Sequence, residues 1–360
     1  MKNEYLAIGL MSGTSADGVD AAIIKTDGHI NIEILPYCSS YIYPENIRED
    51  IFNAYKGVGN IEKLESDLTE IHAQIVYELL DKANLSAKDI DVIGFHGHTI
   101  LHKPEENQTW QIGDGRLLAE TTSIDVVYDL RSLDVENGGQ GAPLVPIYHK
   151  ILAKDLNKPV VFVNIGGVSN VTYIGSEDDD LLAFDTGPGN ALIDDLIRKA
   201  NIGNYDDEGN IALKGVIDKN IVERFLSDPY FAKIPPKSLD RNSFNIDVSG
   251  LSLEDGVATL TACTAESIAK SLDFFSHKPI KWVIAGGGRK NKAIMGWLEE
   301  KVGVDVISID EMQIDGDMIE AQAFAYLAVR SIKNLPITFP KTTGVAQKLS
   351  GGVFCQASRA

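Results

Sequence analysis

Near the amino terminus two apolar runs, Leu6–Met11 and Val19–Ile24, flank a short polar turn, Ser12-Gly13-Thr14-Ser15-Ala16-Asp17-Gly18. Asp-Gly between strand-like runs is a strong short-range hairpin signal. Asn31–Tyr43 predicts one or two further strands, and the chain turns helical from Pro44. Ile61, Leu64, Leu68, Ile71, Ile75, Leu79 and Leu80 recur at the three-to-four spacing of an amphipathic helix over 61–84. Asp89–Phe95 reads as a short buried strand that ends in His96-Gly97-His98-Thr99. Thr109–Ile112 is another strand, Gly113-Asp114-Gly115 starts a helix running to about Thr121, and Asp125–Leu130 is again a strand.

The second half repeats the pattern. Pro159–Ile174 is an apolar strand, a small polar turn around Gly166-Gly167 and a second apolar strand, mirroring residues 6–25. Leu181–Phe184 predicts a strand ending at Asp185-Thr186-Gly187-Pro188-Gly189-Asn190, with a helix over 191–200 that Asn190 would cap. Residues 252–276 are mostly helical. Lys281–Ala285 is a strand running into Gly286-Gly287-Gly288-Arg289-Lys290-Asn291 and a helix. Val304–Ile309 predicts a strand, and Met318–Lys333 a helix with Glu320 in its first turn. The glycine-rich loop between Asp134 and Pro146 is where a domain boundary is expected. That divides the chain into residues 1–135 and 136–335, with a tail, 336–360, expected to return to the first domain.

Length and composition narrow the class. At 360 residues the chain exceeds the size at which one core usually stops growing, so two domains are expected. With 44% hydrophobic and 24% charged residues it reads as a globular protein. Lys and Arg number 33 against 52 Asp and Glu, a formal net charge of −19, which argues against a nucleic-acid partner. There is no signal-peptide pattern and no apolar run of membrane-spanning length. Cys38, Cys263 and Cys355 form neither a disulfide framework nor a zinc pattern, and a cytoplasmic location is expected.

Three glycine-bearing turns, each after an apolar strand, carry the candidate chemistry. The turn Ser12–Val19 has little side chain to keep a ligand away and offers backbone N–H groups and hydroxyls to a phosphate, or is an ordinary tight hairpin. Gly166-Gly167 repeats it half a chain later, and Gly286-Gly287 opens a helix, which suits the nucleoside end of a nucleotide. Neither a Walker A loop nor a dinucleotide-binding glycine fingerprint is present. Asp185, at the expected strand end, is placed as a general base would be, or else caps its own turn. His96 and Thr99 suit a polar pocket wall for a sugar better than a metal site. Asp129 and Arg131 would fix a carboxylate or hydroxyls, or form a surface ion pair. Glu320 either favours the helix dipole or faces a pocket.

Met11–Asp20, His96–Thr99, Gln111–Gly115, Asp129–Arg131, Gly138–Leu144, Asn164–Asn170 and Phe184–Asn190, taken in order, closely resemble the anhydro-N-acetylmuramic acid kinases. Gly286–Asn291 and Glu320–Ala325 fit as well. The resemblance implies an α/β fold of two related domains of the actin–hexokinase (ribonuclease H-like) type with an interdomain ATP cleft. It implies a reaction of cell-wall (peptidoglycan) recycling. ATP and water open the 1,6-anhydro ring and phosphorylate O6, giving N-acetylmuramic acid 6-phosphate and ADP. Asp185 would be the base, and Ser12, Gly13, Thr14, Ser15, Ala16, Asp17, Gly18 and Val19 would hold ATP with Gly166, Gly167, Gly286 and Gly287. His96, Thr99, Asp129, Arg131 and Glu320 would meet the sugar, and Asp17 would reach Mg2+ through water. A homodimer is a reasonable assembly for such an enzyme. Tyr128, Leu130 and His98 depart from the residues expected at their positions, His98 standing where Gln is common. The alternatives are a plain sugar kinase without ring opening and a nucleotide-dependent binding protein.

Overall fold

In the computed structural model, residues 2–241 and 243–358 are described, so Met1, Arg359 and Ala360, at the outer limits of the expected domains, lie outside them. The chain divides into two compact units, Met1–Lys154 with Met318–Ala360, and Asp155–Asp317.

The first unit opens with β1 (Tyr5–Ser12), β2 (Gly18–Thr26) and β3 (Ile32–Ile42), an antiparallel meander. Helices α1 (Glu45–Ala54) and α2 (Ile61–Ala83) follow. Asn60 caps α2 by accepting from the Lys63 N–H, and Asn84 closes it in the left-handed region, where Asn is tolerated. Strand β4 (Val92–Lys103) runs well past the expected end at Phe95, because β5 (Gln108–Ile112) pairs with its second half. Helix α3 (Gly115–Thr122), β6 (Val126–Tyr128), α4 (Ser132–Glu136) and α5 (Pro146–Leu152) complete this part. Strands β1, β4 and β6 are parallel neighbours. The buried faces of the sheet and of α2 share one core, which includes Ile8, Leu10, Leu68, Ile75, Leu79, Ile93 and Phe95.

The second unit repeats this order. Strands β7 (Val160–Ile165), β8 (Val168–Ile174) and β9 (Leu181–Pro188) form an antiparallel meander, followed by α6 (Ala191–Lys199), α7 (Lys219–Leu226) and α8 (Leu253–Ala269). Strand β10 (Lys281–Ala285) lies parallel to β7, then come α9 (Lys292–Val302) and β11 (Val306–Ser308), parallel to β10. Spatial order is β3-β2-β1-β4-β6 in the first sheet and β9-β8-β7-β10-β11 in the second. A meander whose first strand is the parallel neighbour of the fourth, twice in one chain, is the actin–hexokinase (ribonuclease H-like) arrangement. A second core, with Val161, Val163, Phe184, Ile268, Trp282 and Ile284, fills this unit.

The unit boundaries differ from the glycine-loop boundary, and the packing explains the difference. The loop after α4 is tied into the first unit: buried Asp134 accepts from the Gly141 N–H at 2.7 Å and the Thr343 hydroxyl at 2.7 Å. Tyr148 of α5 donates to Gln322 of α10 (Ile319–Ile332) at 2.9 Å. Helix α10 is buried from Ala321 to Arg330, and it crosses β1 and β4 where Gly9 and Gly94 remove the side chain. A Cβ at Gly9 would lie 1.8 Å from the Ala321 carbonyl oxygen, and one at Gly94 2.0 Å from that of Phe324. The tail then adds β12 (Val353–Cys355) antiparallel to β6, and the Ala357 N–H donates to Asp125 at 2.9 Å.

Candidate active site

In the first unit the turn between β1 and β2 is held from beneath by a buried chain of hydroxyls and one imidazole. Register places Ser12 beside His98 on the neighbouring parallel strand. The Ser12 hydroxyl lies 2.8 Å from His98 Nδ1, receives the Tyr43 hydroxyl at 2.8 Å and reaches the Gly18 carbonyl at 3.1 Å. Tyr55 meets His98 Nε2 at 2.7 Å and the Thr14 carbonyl at 3.1 Å. Both ends of the turn and its middle are thereby tied to one ring. Burial pushes the His98 pKa down to about 4, so the ring is neutral and accepts at one nitrogen while donating at the other. Ala16, in the left-handed region, donates its N–H to the Gly13 carbonyl, and Arg48 of α1 donates to the Ala16 carbonyl at 3.2 Å. Above the turn there is room: a Cβ on Gly13 would meet nothing closer than the Ser15 hydroxyl at 3.8 Å.

The expected sugar-side residues sit deeper in the same unit. Arg131 directs Nε and Nη2 to His96 Nε2, at 3.1 and 3.0 Å, and Nη1 to the Gly141 carbonyl at 2.7 Å. His96 Nδ1 donates to the Gly97 carbonyl at 2.9 Å, so both ring nitrogens are engaged within the protein. Burial, then the Arg131 charge, holds its pKa well below the ordinary imidazole value. Burial lowers Arg131 to about 10, still charged at neutral pH, and the carboxylates of Glu320 and Asp134 oppose that. Glu320, in the first turn of α10, is raised by burial, with Arg131 pulling it back. Thr99 accepts from Gln111 at 3.2 Å, and Asp129, at a positive φ of 50°, accepts from the Ser132 hydroxyl.

In the second unit Asp185 lies inside β9 rather than at its end. The β8–β9 register slips between Ser169 and Asn170, so that Asn170 faces Asp185 and Ser169 faces Gly187, with Thr186 as the extra residue. Such a bulge breaks the side-chain alternation and re-aims a side chain. Ser169 and Thr186 pin it through hydroxyls 2.7 Å apart. Asp185 Oδ2 accepts from the Leu239 N–H at 2.8 Å, and the Asp185 carbonyl accepts from the Tyr230 hydroxyl at 2.5 Å. Burial pushes its carboxyl up to about 7 against the Leu239 bond, with Asp240 adding to the rise. A carboxylate that titrates near neutrality is matched to proton abstraction.

Gly166 and Gly167 are held through their carbonyls, by the Asn190 N–H at 2.7 Å and the Gly189 N–H at 2.9 Å. Asn190 does not cap α6 with its side chain; its Nδ2 donates to the Ile165 carbonyl at 3.1 Å. Across Ile165 and Asn190 lies the third turn, where Arg289, 4% exposed at its side chain, pairs with Asp310 and Asp317 at 2.7 Å each. Next to it is a pocket of about 360 Å3 lined by Asn190, Ile193, Asp194, Tyr205, Asp207, Glu208, Gly287 and Lys290, among others. The sequence motifs 185–190 and 286–291 contain its Asn190, Gly287 and Lys290, but Tyr205 and Glu208 sit in a stretch without periodicity. Tyr43, Tyr55 and Arg48 were likewise out of reach, since only tertiary structure brings them under the first turn.

A family model for anhydro-N-acetylmuramic acid kinase matches residues 5–357. The chain belongs to the anhydro-N-acetylmuramic acid kinase family. It is 47% identical over 360 residues to the anhydro-N-acetylmuramic acid kinase of Zymomonas mobilis, covering 96% of this chain and 98% of that protein. It is 47% identical over 358 residues to that of Rhodospirillum rubrum, covering 98% and 94%. Among solved structures, component A of the Acidaminococcus fermentans (R)-2-hydroxyglutaryl-CoA dehydratase aligns at a TM-score of 0.49 and 14% identity, over 91% of this chain and 99% of that one. No helix among the described residues is long and apolar enough to cross a membrane.

Proposed function

We propose that this chain is an ATP-dependent kinase that opens the 1,6-anhydro ring of anhydro-N-acetylmuramic acid with water. It transfers the γ-phosphoryl group to O6, giving N-acetylmuramic acid 6-phosphate and ADP, a step of peptidoglycan recycling in the cytoplasm. The observation that carries this reading is the family match over residues 5–357, and the state of Asp185 supplies the chemistry. Asp185 takes the proton of the attacking water. As the water oxygen bonds to C1, the C1–O6 bond breaks and its electron pair goes to O6, which displaces ADP from the γ-phosphorus. The phosphoryl group itself needs positioning and charge neutralisation more than covalent help.

The turn Ser12–Val19 offers backbone N–H groups and hydroxyls to the ATP phosphates, and Gly166 and Gly167 a second set. Gly286, Gly287 and the adjoining pocket take the nucleoside. Among the described residues no three His, Cys, Asp or Glu side chains gather into a cage, and Mg2+ would arrive with the ATP phosphates. Asp17, 77% exposed beside the turn, is the carboxylate that would meet it through water. When bound, the ion neutralises charge on the phosphate oxygens. Arg131 keeps one N–H on each terminal nitrogen for the lactyl carboxylate or a sugar hydroxyl, and His96 orients it. Thr99, Asp129 and Glu320 complete the sugar side.

One reaction tests the whole reading: ATP, Mg2+ and anhydro-N-acetylmuramic acid in 18O-labelled water, followed by mass spectrometry. The expected product is phosphorylated, ring-opened and labelled at the C1 hydroxyl. A phosphorylated product without solvent oxygen would reduce the protein to a plain sugar kinase, and no sugar-dependent ADP would leave a nucleotide-dependent binding protein.

A further inference from the structure

A second ionisable group is buried next to Asp185, and the reaction scheme above does not use it. Lys237 is 4% exposed. Its ammonium lies 4.4 Å from the ring centre of Phe274, 4.6 Å from that of Tyr230 and 5.5 Å from that of Phe184. It donates to the Tyr230 carbonyl at 3.0 Å and reaches the Phe231 carbonyl at 3.5 Å. A desolvated ammonium is costly, and a cage of ring faces with carbonyl acceptors offsets that cost.

The cage is built from the parts that hold Asp185. Phe184 is its neighbour on β9. Tyr230 donates its hydroxyl to the Asp185 carbonyl at 2.5 Å. The Lys237 carbonyl accepts the Asp185 N–H at 3.0 Å, and two residues on, the Leu239 N–H donates to Asp185 Oδ2 at 2.8 Å. We propose that Lys237 is a positioning residue for Asp185: its caged ammonium locks strand β9, the Tyr230 turn and the 237–239 segment together, and so holds the Leu239 N–H on the carboxylate. Lys237 acts through the backbone it fixes and does not touch substrate. This rests on Asp185 being the base.

The charged and titratable groups around the pair are few. Asp240 raises the Asp185 pKa, and Tyr230 feels the Asp185 charge. Burial lowers Lys237 to about 8, with smaller contributions from Lys233 and Lys270. The bond from Leu239 favours the ionised carboxylate, so its loss moves the Asp185 titration up.

The test is Lys237→Met, which keeps length and apolar bulk but removes the charge, read in the full-length protein by 13C NMR of aspartate-labelled samples. The Asp185 signal is assigned by its absence in Asp185→Asn. The expected result is an Asp185 titration about one pH unit higher, from loss of one hydrogen bond to the charged form. Turnover should fall roughly 10- to 100-fold with the KM for ATP within about twofold, the signature of a group that serves the chemical step. Lys237→Arg, which keeps the charge, should recover part of both. An unmoved Asp185 titration in Lys237→Met overturns the proposal, whatever happens to turnover. If Lys237→Met does not fold, Phe274→Leu removes one cage wall without touching Asp185. It should move the titration the same way by less, and no movement there also overturns the proposal. Failure of the base reading is seen separately, as normal turnover in Asp185→Asn, because the NMR titration makes no reference to activity.

Discussion

The two units carry the same strand order and a glycine-bearing turn at the same point of it, yet they hold those turns by different means. In the first, side chains do it: Ser12, Tyr43, Tyr55 and neutral His98 form a buried network beneath residues 12–18. In the second, the main chain does it, through the Gly189 and Asn190 N–H groups on the Gly167 and Gly166 carbonyls. Topology alone therefore does not fix a loop. A turn with room above it needs a second anchor, and one strand order accepts either a side-chain or a backbone solution. The solutions also differ in charge. Beneath the first turn the buried ionisable group is the neutral His98 imidazole, and in the second unit it is the Asp185 carboxyl raised towards neutrality.

The largest effect expected is on turnover. Asp185→Asn should lose roughly 100- to 10,000-fold in kcat, the usual contribution of a positioned base, with ATP affinity retained. Near-normal kcat would remove Asp185 from that role.

Acid should separate the two units next. Burial lowers His72 and His98 to about 4 and His149 to about 3, all in the first unit. Their folded pKa values lie below the ordinary 6.5 or so, so from there down to about pH 4 the unfolded chain binds more protons and stability falls with pH. Asp185 has the opposite sign. Its folded pKa of about 7 lies above its unfolded value near 4, so its contribution to stability falls as pH rises between them. Hydrogen exchange at pH 5 and pH 7 should show α2 and β4 less protected at pH 5, and equal loss across both units would break the contrast. Asp185→Asn should raise Tm at pH 8, and the gain should shrink towards pH 4.

Smaller effects test the anchors themselves. His98→Ala leaves the Ser12 and Tyr55 hydroxyls short of a partner and should cost about 1–3 kcal/mol in chemical denaturation. His98→Gln, whose amide both donates and accepts, should cost less than half of that. Equal losses would mean that packing, not the hydrogen-bond chain, matters there. Gly13→Val adds bulk where the protein leaves space, so stability should hold while ATP affinity drops roughly tenfold, about 1.4 kcal/mol by calorimetry. Unchanged affinity would detach residues 12–19 from the phosphates.

Much of the fold was legible in the chain. Apolar runs broken by small polar turns placed the meander strands, and the three-to-four pattern placed α2, because both signals come from local geometry that a buried face imposes directly. The internal repeat was legible for the same reason. Less visible was where β4 and β9 end, since strand length there depends on partners distant in sequence. The unit boundary was also misjudged from composition: a glycine-rich loop looks like a linker, but Asp134 and Thr343 bind this one into the first unit.

Of the candidate site, the sequence by itself determined which turns carry glycine and which carboxylate stands near the second of them. Glycines and an acidic residue at fixed distances from apolar runs suffice for that. Only the tertiary structure decided the chemistry of those residues. It set Asp185 on a bulge with a Leu239 N–H on its oxygen, turned His96 inward to hold Arg131, and slid His98 beneath Ser12. Each depends on burial and on hydrogen bonds across tens of residues, and a pKa is set by surroundings that no local spacing contains.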